Sequence, residues 1–404
     1  MVHTVSTSII FDLVILLVAA FAGGSVARRF GYPAAIGELF VGVIIGPFAF
    51  GFVEFSDVLI TFAEFGAIIL LFYIGLETDT SMLRRYLIPS VLTGVMGAVV
   101  PLALGYYGGL LLGFTGAESL FIGTVLTATS IGITVRMLSD MGRLRTKVGT
   151  TILGAGIVDD VVGIALLSLT VSVLAGQLDL ADLTLVLAKA AGFWLATIVI
   201  GIYLLTRALD KLRVRTESFT LLVLALGFAG AFASAELGLS SVIGAFATGL
   251  ALSHMIRAPE VLEKIQPIFL FFVPIFFISI GMLIDPRAFV SSVAIGLAIT
   301  LLAIAGKIFG CGIALLIFRY STREALTVGV GMIPRGEVGL IIAGIGLASG
   351  FIDAQTYLVA VMAVSLTTVI ALPILRILTA RAKPASSKNI GSLDDRQPVA
   401  SHPS

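Results

Sequence analysis

Cysteine, histidine and charge are all scarce in this chain of 404 residues, and each scarcity removes a class of function. The one cysteine, Cys311, lies in an apolar run and can form no internal disulfide, which leaves it the role of a small packing residue. Three histidines, His3, His254 and His402, fall at the chain ends or at a loop edge, so neither a histidine metal site nor a central histidine switch is available. Net charge is +1, and no global field points to nucleic acid or to an acidic partner. A cleavable leader pattern is also missing. Asp12 enters early and the first apolar run is long, so that run reads as a retained helix. Charged residues make up 12% of the chain against 58% hydrophobic ones, and the mean hydropathy is +1.12. That balance belongs in a bilayer.

What the chain does contain is a series of apolar runs, each of about 18 or more residues and so long enough to cross hydrocarbon as a helix. An all-α polytopic fold of about thirteen spans is expected, at 8–28, 34–53, 57–77, 87–113, 117–139, 147–176, 182–206, 217–236, 239–256, 263–284, 289–318, 324–349 and 355–379. Basic residues collect on alternate connections: Arg28/Arg29, Arg84/Arg85, Arg143/Arg145/Lys147, Arg207/Lys211/Arg213/Arg215, Arg257/Lys264, Arg319/Arg323 and Arg381/Lys383. The connections between them carry acids, with Arg287 the exception. The positive-inside rule then puts the N-terminus outside and the C-terminus in the cytoplasm of an inner-membrane protein. Residues 381–404 turn polar and read as a disordered tail.

The two halves echo each other. IGELFVG at 36–42 matches IGAFATG at 243–249, and FYIGLETD at 72–79 matches FISIGMLID at 277–285, at offsets of 207 and 206. A shift of about seven spans is odd, so the second copy should be inverted. Inverted repeats with broken helices at mid-membrane are the architecture of secondary transporters.

Asp159 and Asp160 stand together inside GTTILGAGIVDDVVGIALLSLTVSVLAG. A carboxylate at the bilayer centre costs roughly 2.5–3.5 kcal/mol, and spanning a membrane needs neither. Reversible cation binding explains both. Carrying the repeat offset onward aligns span five, TATSIGITVRML, with span twelve, GMIPRGEVGLII. Thr127, Thr129, Ser130, Gly132 and Thr134 in one, and Pro334, Arg335, Gly336 and Glu337 in the other, mark breaks that would turn free carbonyls and N–H groups toward the midplane. Lys307, in LLAIAGKIFGCG, is a third intramembrane charge that needs a carboxylate partner, either Asp159 or Asp160. Neighbours on a helix point about 100° apart, so one aspartate can face Lys307 while the other faces a water-filled cavity. Arg335 and Glu337 read as a pair beside the break.

GYPAAIGELFVGVIIGP, FAEFGAIILLFYIGLETD, TSIGIT, VDD, SSVIGAFATGLALS and IPRGEVGL together resemble the monovalent cation:proton antiporters over about 9–378. The nearest likeness is to bacterial electrogenic sodium/proton antiporters with a paired-aspartate motif. That resemblance implies a transmembrane domain over 1–380 with crossed discontinuous helices. Its core would comprise about 87–176 and 289–379, its dimer scaffold about 8–77 and 217–284, and its connector about 182–206. It also implies a homodimer, elevator motion, no cofactor, and Na⁺ or Li⁺ exchanged for protons. By the same resemblance Asp160 is the main ion-binding carboxylate, Asp159 is its neighbour paired with Lys307, and Thr129 and Ser130 flank the site. Potassium/proton exchange and organic-anion transport are the alternatives on this fold; the second leaves Asp159, Asp160 and Lys307 without a role. An intramembrane aspartyl protease needs its aspartates on facing helices, and here they are sequence neighbours. A non-transporting membrane scaffold would show no ion-dependent proton flux.

Overall fold

In lipid a backbone must satisfy its own N–H and C=O groups, and a helix does so within one segment. The computed structural model describes residues 7–176, 180–285 and 293–380, and all regular structure among them is helical. In chain order the helices are α1 (Thr7–Arg29), α2 (Ala34–Ile45), α3 (Asp57–Glu77), the short α4 (Thr80–Arg85), α5 (Leu87–Leu111), α6 (Gly116–Thr127), α7 (Ile131–Asp140) and α8 (Lys147–Leu174). The chain continues with α9 (Leu180–Ile200), α10 (Thr216–Glu236), α11 (Ser241–Leu252), α12 (Ala258–Met282), α13 (Val293–Lys307), α14 (Thr322–Gly331), α15 (Glu337–Ala348) and α16 (Ala354–Ala380). A π-helical turn, Gly201–Leu205, carries α9 on into Thr206–Asp210, and another, Ile308–Ile313, carries α13 on into Ala314–Leu316. The polar tail from 381 onward and Arg287 lie outside the described residues.

Among the described residues, ten stretches are long and apolar enough to cross a membrane as helices, with α6 and α7 taken together. Three of the expected spans are shorter as helices. Those at 34–53 and 239–256 hold α2 and α11, each of 12 residues, or about 18 Å of rise against a ~30 Å hydrocarbon core. In the first, Gly46 leaves the helix in an extended conformation just before Pro47. The third, at 324–349, is divided into α14 and α15.

Local sequence explains where the interrupted segments begin. Thr115 and Glu118 form a capping box at the start of α6, and Ser321 and Glu324 form one at the start of α14. These boxes stand 206 positions apart, within the register of the sequence repeat.

The repeated IGxxxxG and IGxxxD motifs have a packing explanation. α2 crosses α12 where Gly42 meets Gly281: a Cβ on Gly42 would sit 2.2 Å from the Ile278 carbonyl oxygen, and one on Gly281 would sit 2.1 Å from that of Leu39. α3 crosses α11 where Gly75 meets Gly249, with Cβ approaches of 2.5 Å to the Phe246 oxygen and 2.3 Å to the Phe72 oxygen. Each crossing therefore joins one glycine from each half of the chain. Small residues at such contacts let backbones approach closely, which is how helices bind one another when both sides are apolar. Gly281→Val should therefore force α2 and α12 apart and lower the thermal midpoint in detergent by several degrees or abolish folded yield. Gly344→Ala, at a helical position with open space around it, should be neutral or slightly stabilising. Equal midpoints for the two variants would contradict this account.

Two packed groups of helices result. α3 packs on α11 and α12, and α1 and α2 join them through α12. α5 packs on α6, α8 and α13, and α16 packs on α13, α14 and α15. α9 lies against α8 and α11.

Candidate ion-binding site

The site begins with two broken helices lying against each other. α6 stops at Thr127, Ala128 and Ser130 adopt extended backbone, and α7 starts at Ile131. On the other strand of the crossing α14 stops at Gly331, and α15 starts at Glu337 behind Gly336. The backbone N–H of Ser130 donates to the Pro334 carbonyl at 2.8 Å, so the residue that lacks a donor contributes an acceptor. The Thr129 hydroxyl donates to the Met332 carbonyl at 3.1 Å, and that of Thr134 to the Gly331 carbonyl at 2.7 Å. These hydroxyls occupy carbonyls that the end of α14 leaves without helical partners. Gly336 is packed on Ser130, whose Oγ lies 2.9 Å from where a Cβ would be.

Lys307 closes the other break. Its Nζ donates to Asp159 Oδ1 at 2.8 Å and to the Thr127 carbonyl at 2.6 Å, and both side chains are fully buried. The ammonium thus sits at the C-terminal end of α6, where orphan carbonyls and the helix dipole favour positive charge. Asp159 Oδ2 is buried and makes no hydrogen bond among the described residues. Arg335 is a second buried cation at the same end: it donates to the carbonyls of Leu126 at 2.6 Å and Ile333 at 3.0 Å. Thr368 receives the Arg335 N–H at 3.0 Å and donates its hydroxyl to the Arg335 carbonyl. Arg335 is therefore a cap on α6. The expected pairing with Glu337 is not described, because the Glu337 side chain lies outside the described residues.

Gly132 also falls elsewhere than expected. The interruption is at 128–130, and Gly132 is the second residue of α7, where its missing Cβ admits the Phe276 ring, 3.4 Å from the Cβ position.

Asp160, one step round α8, is half-buried. It lines a narrow cleft with Thr129, Ser130, Gly132 and Phe276. Ala67, Ser240, Val242, Phe276 and Val338 connect this cleft to a cavity of about 730 Å³. Phe55 and Leu59 at the start of α3, Ala235, residues 238–241, and Leu283 past α12 bound that cavity, and they lie at helix ends that carry Glu54, Glu236 and Asp285. The Ser241 hydroxyl holds Glu64, which lines the cavity, at 3.3 Å. Toward the opposite, basic ends, aromatic and charged side chains pack together. The Tyr73 and Phe269 rings lie 4.8 Å apart, Arg136 stacks 4.6 Å over Phe269, and Arg136 pairs with Asp140 at 3.0 Å.

Residues 14–381 match the family model described as sodium/hydrogen exchanger, transmembrane. The chain belongs to the sodium/hydrogen exchanger family. Among curated relatives, this exchanger is 36% identical over 370 residues to the Na(+)/H(+)-K(+) antiporter GerN of Bacillus cereus, covering 91% of this chain and 95% of that one. It is also 36% identical to the Na(+)/H(+) antiporter of Enterococcus hirae, over 91% and 97% of the two chains. In fold it resembles the sodium proton antiporter MjNhaP1 of Methanocaldococcus jannaschii, with a TM-score of 0.72 at 19% identity, over 93% of this chain and 99% of the other. This exchanger is thus a polytopic membrane transporter and not an enzyme.

The sequence points to free carbonyls at this exchanger's broken-helix ends but not to the side chains that take them up, Lys307 on Thr127 and Arg335 on Leu126. Residue identity carries no signal for a backbone acceptor, and Thr127 entered only as a hydroxyl; in the structure that hydroxyl bonds back to Thr124 while the carbonyl meets Lys307.

Proposed function

We propose that the protein exchanges Na⁺ for protons across the membrane, with Asp160 binding cation and proton in turn. The observation that carries this reading is the division of labour on α8. Asp159 is committed to Lys307, whereas Asp160 lies at the foot of a cavity open to one side. A carboxylate there can take a dehydrated cation alongside the hydroxyls of Thr129 and Ser130, or a proton, but not both at once. The sodium in the names of both relatives supports Na⁺ as cargo. Li⁺ would use the same oxygens, and the potassium in GerN's name makes K⁺ the second reading.

The charge inventory supports electrogenic transport. Asp160 alone exchanges one charge for one. Asp159 keeps an oxygen without a hydrogen bond, and Lys307 holds a proton on a bond that an arriving cation weakens. A second proton released from this pair makes the cycle carry net charge. Repeat-matched glycine crossings and capping boxes support an inverted-repeat architecture of thirteen spans, with two helix groups moving against each other as an elevator. On that reading α1–α3 and α10–α12 form the scaffold of a homodimer. By the positive-inside rule in an inner membrane, with the N-terminus outside, the cavity opens outward.

The test is purified protein in liposomes under an imposed pH gradient. Adding Na⁺ or Li⁺ should move protons and collapse the gradient. Silence to Na⁺, Li⁺ and K⁺ across pH 6–9 would overturn the proposal, and a response to K⁺ alone would select the second reading.

A further inference from the structure

A second cavity lies far from Asp160, on the surface between α1, α2 and α16, with a volume of about 520 Å³. Gly23 and Gly37 floor it, at a crossing so close that a Cβ on Gly37 would lie 2.0 Å from the Gly23 oxygen. Val26, Phe30, Phe40 and Ile44 wall it and are 43–70% exposed, and Pro373 of α16 forms its far side. The groove therefore bridges the two helix groups. From Ile36 to Ile44 helix α2 rises about 12 Å, close to the ~15 Å depth of one leaflet's hydrocarbon.

One end of the groove is basic. Arg28 and Arg29 close α1. Arg376 of α16 reaches over from the other group, stacks 3.8 Å above the Tyr32 ring and donates to the Phe30 carbonyl at 3.3 Å. Among the described residues no carboxylate lies within ion-pair distance of these three arginines, although Arg136, Arg145, Arg215 and Arg257 each have one. Arg28 leans toward Gly24, near which the buried Glu38 carboxyl also lies, so Arg29 and Arg376 are the cations left at the groove mouth. A groove of leaflet depth ending in unpaired guanidiniums matches an acyl chain that carries an anionic phosphate. Basic pockets between transmembrane helices are sites for acidic headgroups, and a guanidinium fork fits phosphate oxygens.

We propose that this groove binds one acidic phospholipid, its acyl chain between α1 and α2 and its phosphate on Arg29 and Arg376. Seated there, the lipid ties α16 to the α1–α2 pair. The assignment goes beyond the exchange reaction and does not depend on it, because its primary readout is lipid retention.

The experiment is native mass spectrometry of the full-length protein in detergent, with phosphatidylglycerol and phosphatidylcholine offered at equal mole fraction. Wild type should retain phosphatidylglycerol selectively. The Arg29→Gln/Arg376→Gln double variant should bind it about 10–30-fold more weakly, at about 1 kcal/mol per arginine. Val26→Trp, which fills the groove and leaves the charges in place, should also displace it. Either variant should melt like wild type in phosphatidylcholine; if Val26→Trp fails to fold, the double variant carries the test alone. Unchanged retention in the double variant would overturn the proposal and assign the lipid to diffuse surface charge. Dissociation of a dimer by either variant without loss of lipid per protomer would overturn it as well, making the groove a contact between two copies.

Discussion

Asp160→Asn should abolish sodium-coupled proton movement while leaving the protein folded. Asparagine keeps the size and hydrogen-bonding reach of the side chain but cannot alternate between a charged, cation-binding form and a protonated one. The Ser130–Pro334, Thr129–Met332 and Thr134–Gly331 contacts join the broken helices through other residues. The thermal midpoint should therefore stay within a few degrees of wild type, and removing a half-buried charge can raise it. Sodium uptake and lumenal pH, followed in the same liposomes, should both fall to the level of empty vesicles. Turnover near wild type would move the binding carboxylate elsewhere, to Asp159 in the first instance.

Lys307→Gln should have the second-largest effect, and it separates two roles. As a staple, Lys307 joins α13 to α8 and to the end of α6 through its bonds to Asp159 and the Thr127 carbonyl. Breaking one side of a fully buried pair costs roughly 3–5 kcal/mol, so the variant should melt well below wild type. Protonation of Asp159 recovers part of that cost by removing the uncompensated charge. With Asp159 held protonated and no ammonium opposite it, Asp160 alone is left to trade one proton for one cation. Residual sodium exchange should then lose its dependence on membrane potential, measured with and without a valinomycin-clamped potassium gradient. A variant that is less stable yet as voltage-driven as wild type would leave Lys307 with the staple role alone.

Much of this was legible in the sequence because a bilayer reduces folding to a few strong rules. Asp159, Asp160 and Lys307 stand out since any charge in an apolar run is costly. The glycines at 42, 75, 249 and 281 announced themselves by recurring, although only the structure shows that they meet in pairs, one from each half. Hydropathy extends both spans, those of α2 and α11, past their helices because 46–53 is apolar throughout and Met255 and Ile256 follow α11. Hydropathy counts apolar residues without asking whether the backbone remains helical.

The sequence by itself determined the medium, the helical class, the interrupted segments and the residue types of the site. Each follows from local composition read against the cost of burying polar groups in lipid. The tertiary structure alone decided which aspartate faces Lys307, that Arg335 caps α6, that Thr129 and Thr134 serve the opposite broken helix, and which end the cavity opens toward. Those outcomes depend on the rotation of each helix about its axis and on backbone carbonyls, which every residue type presents alike.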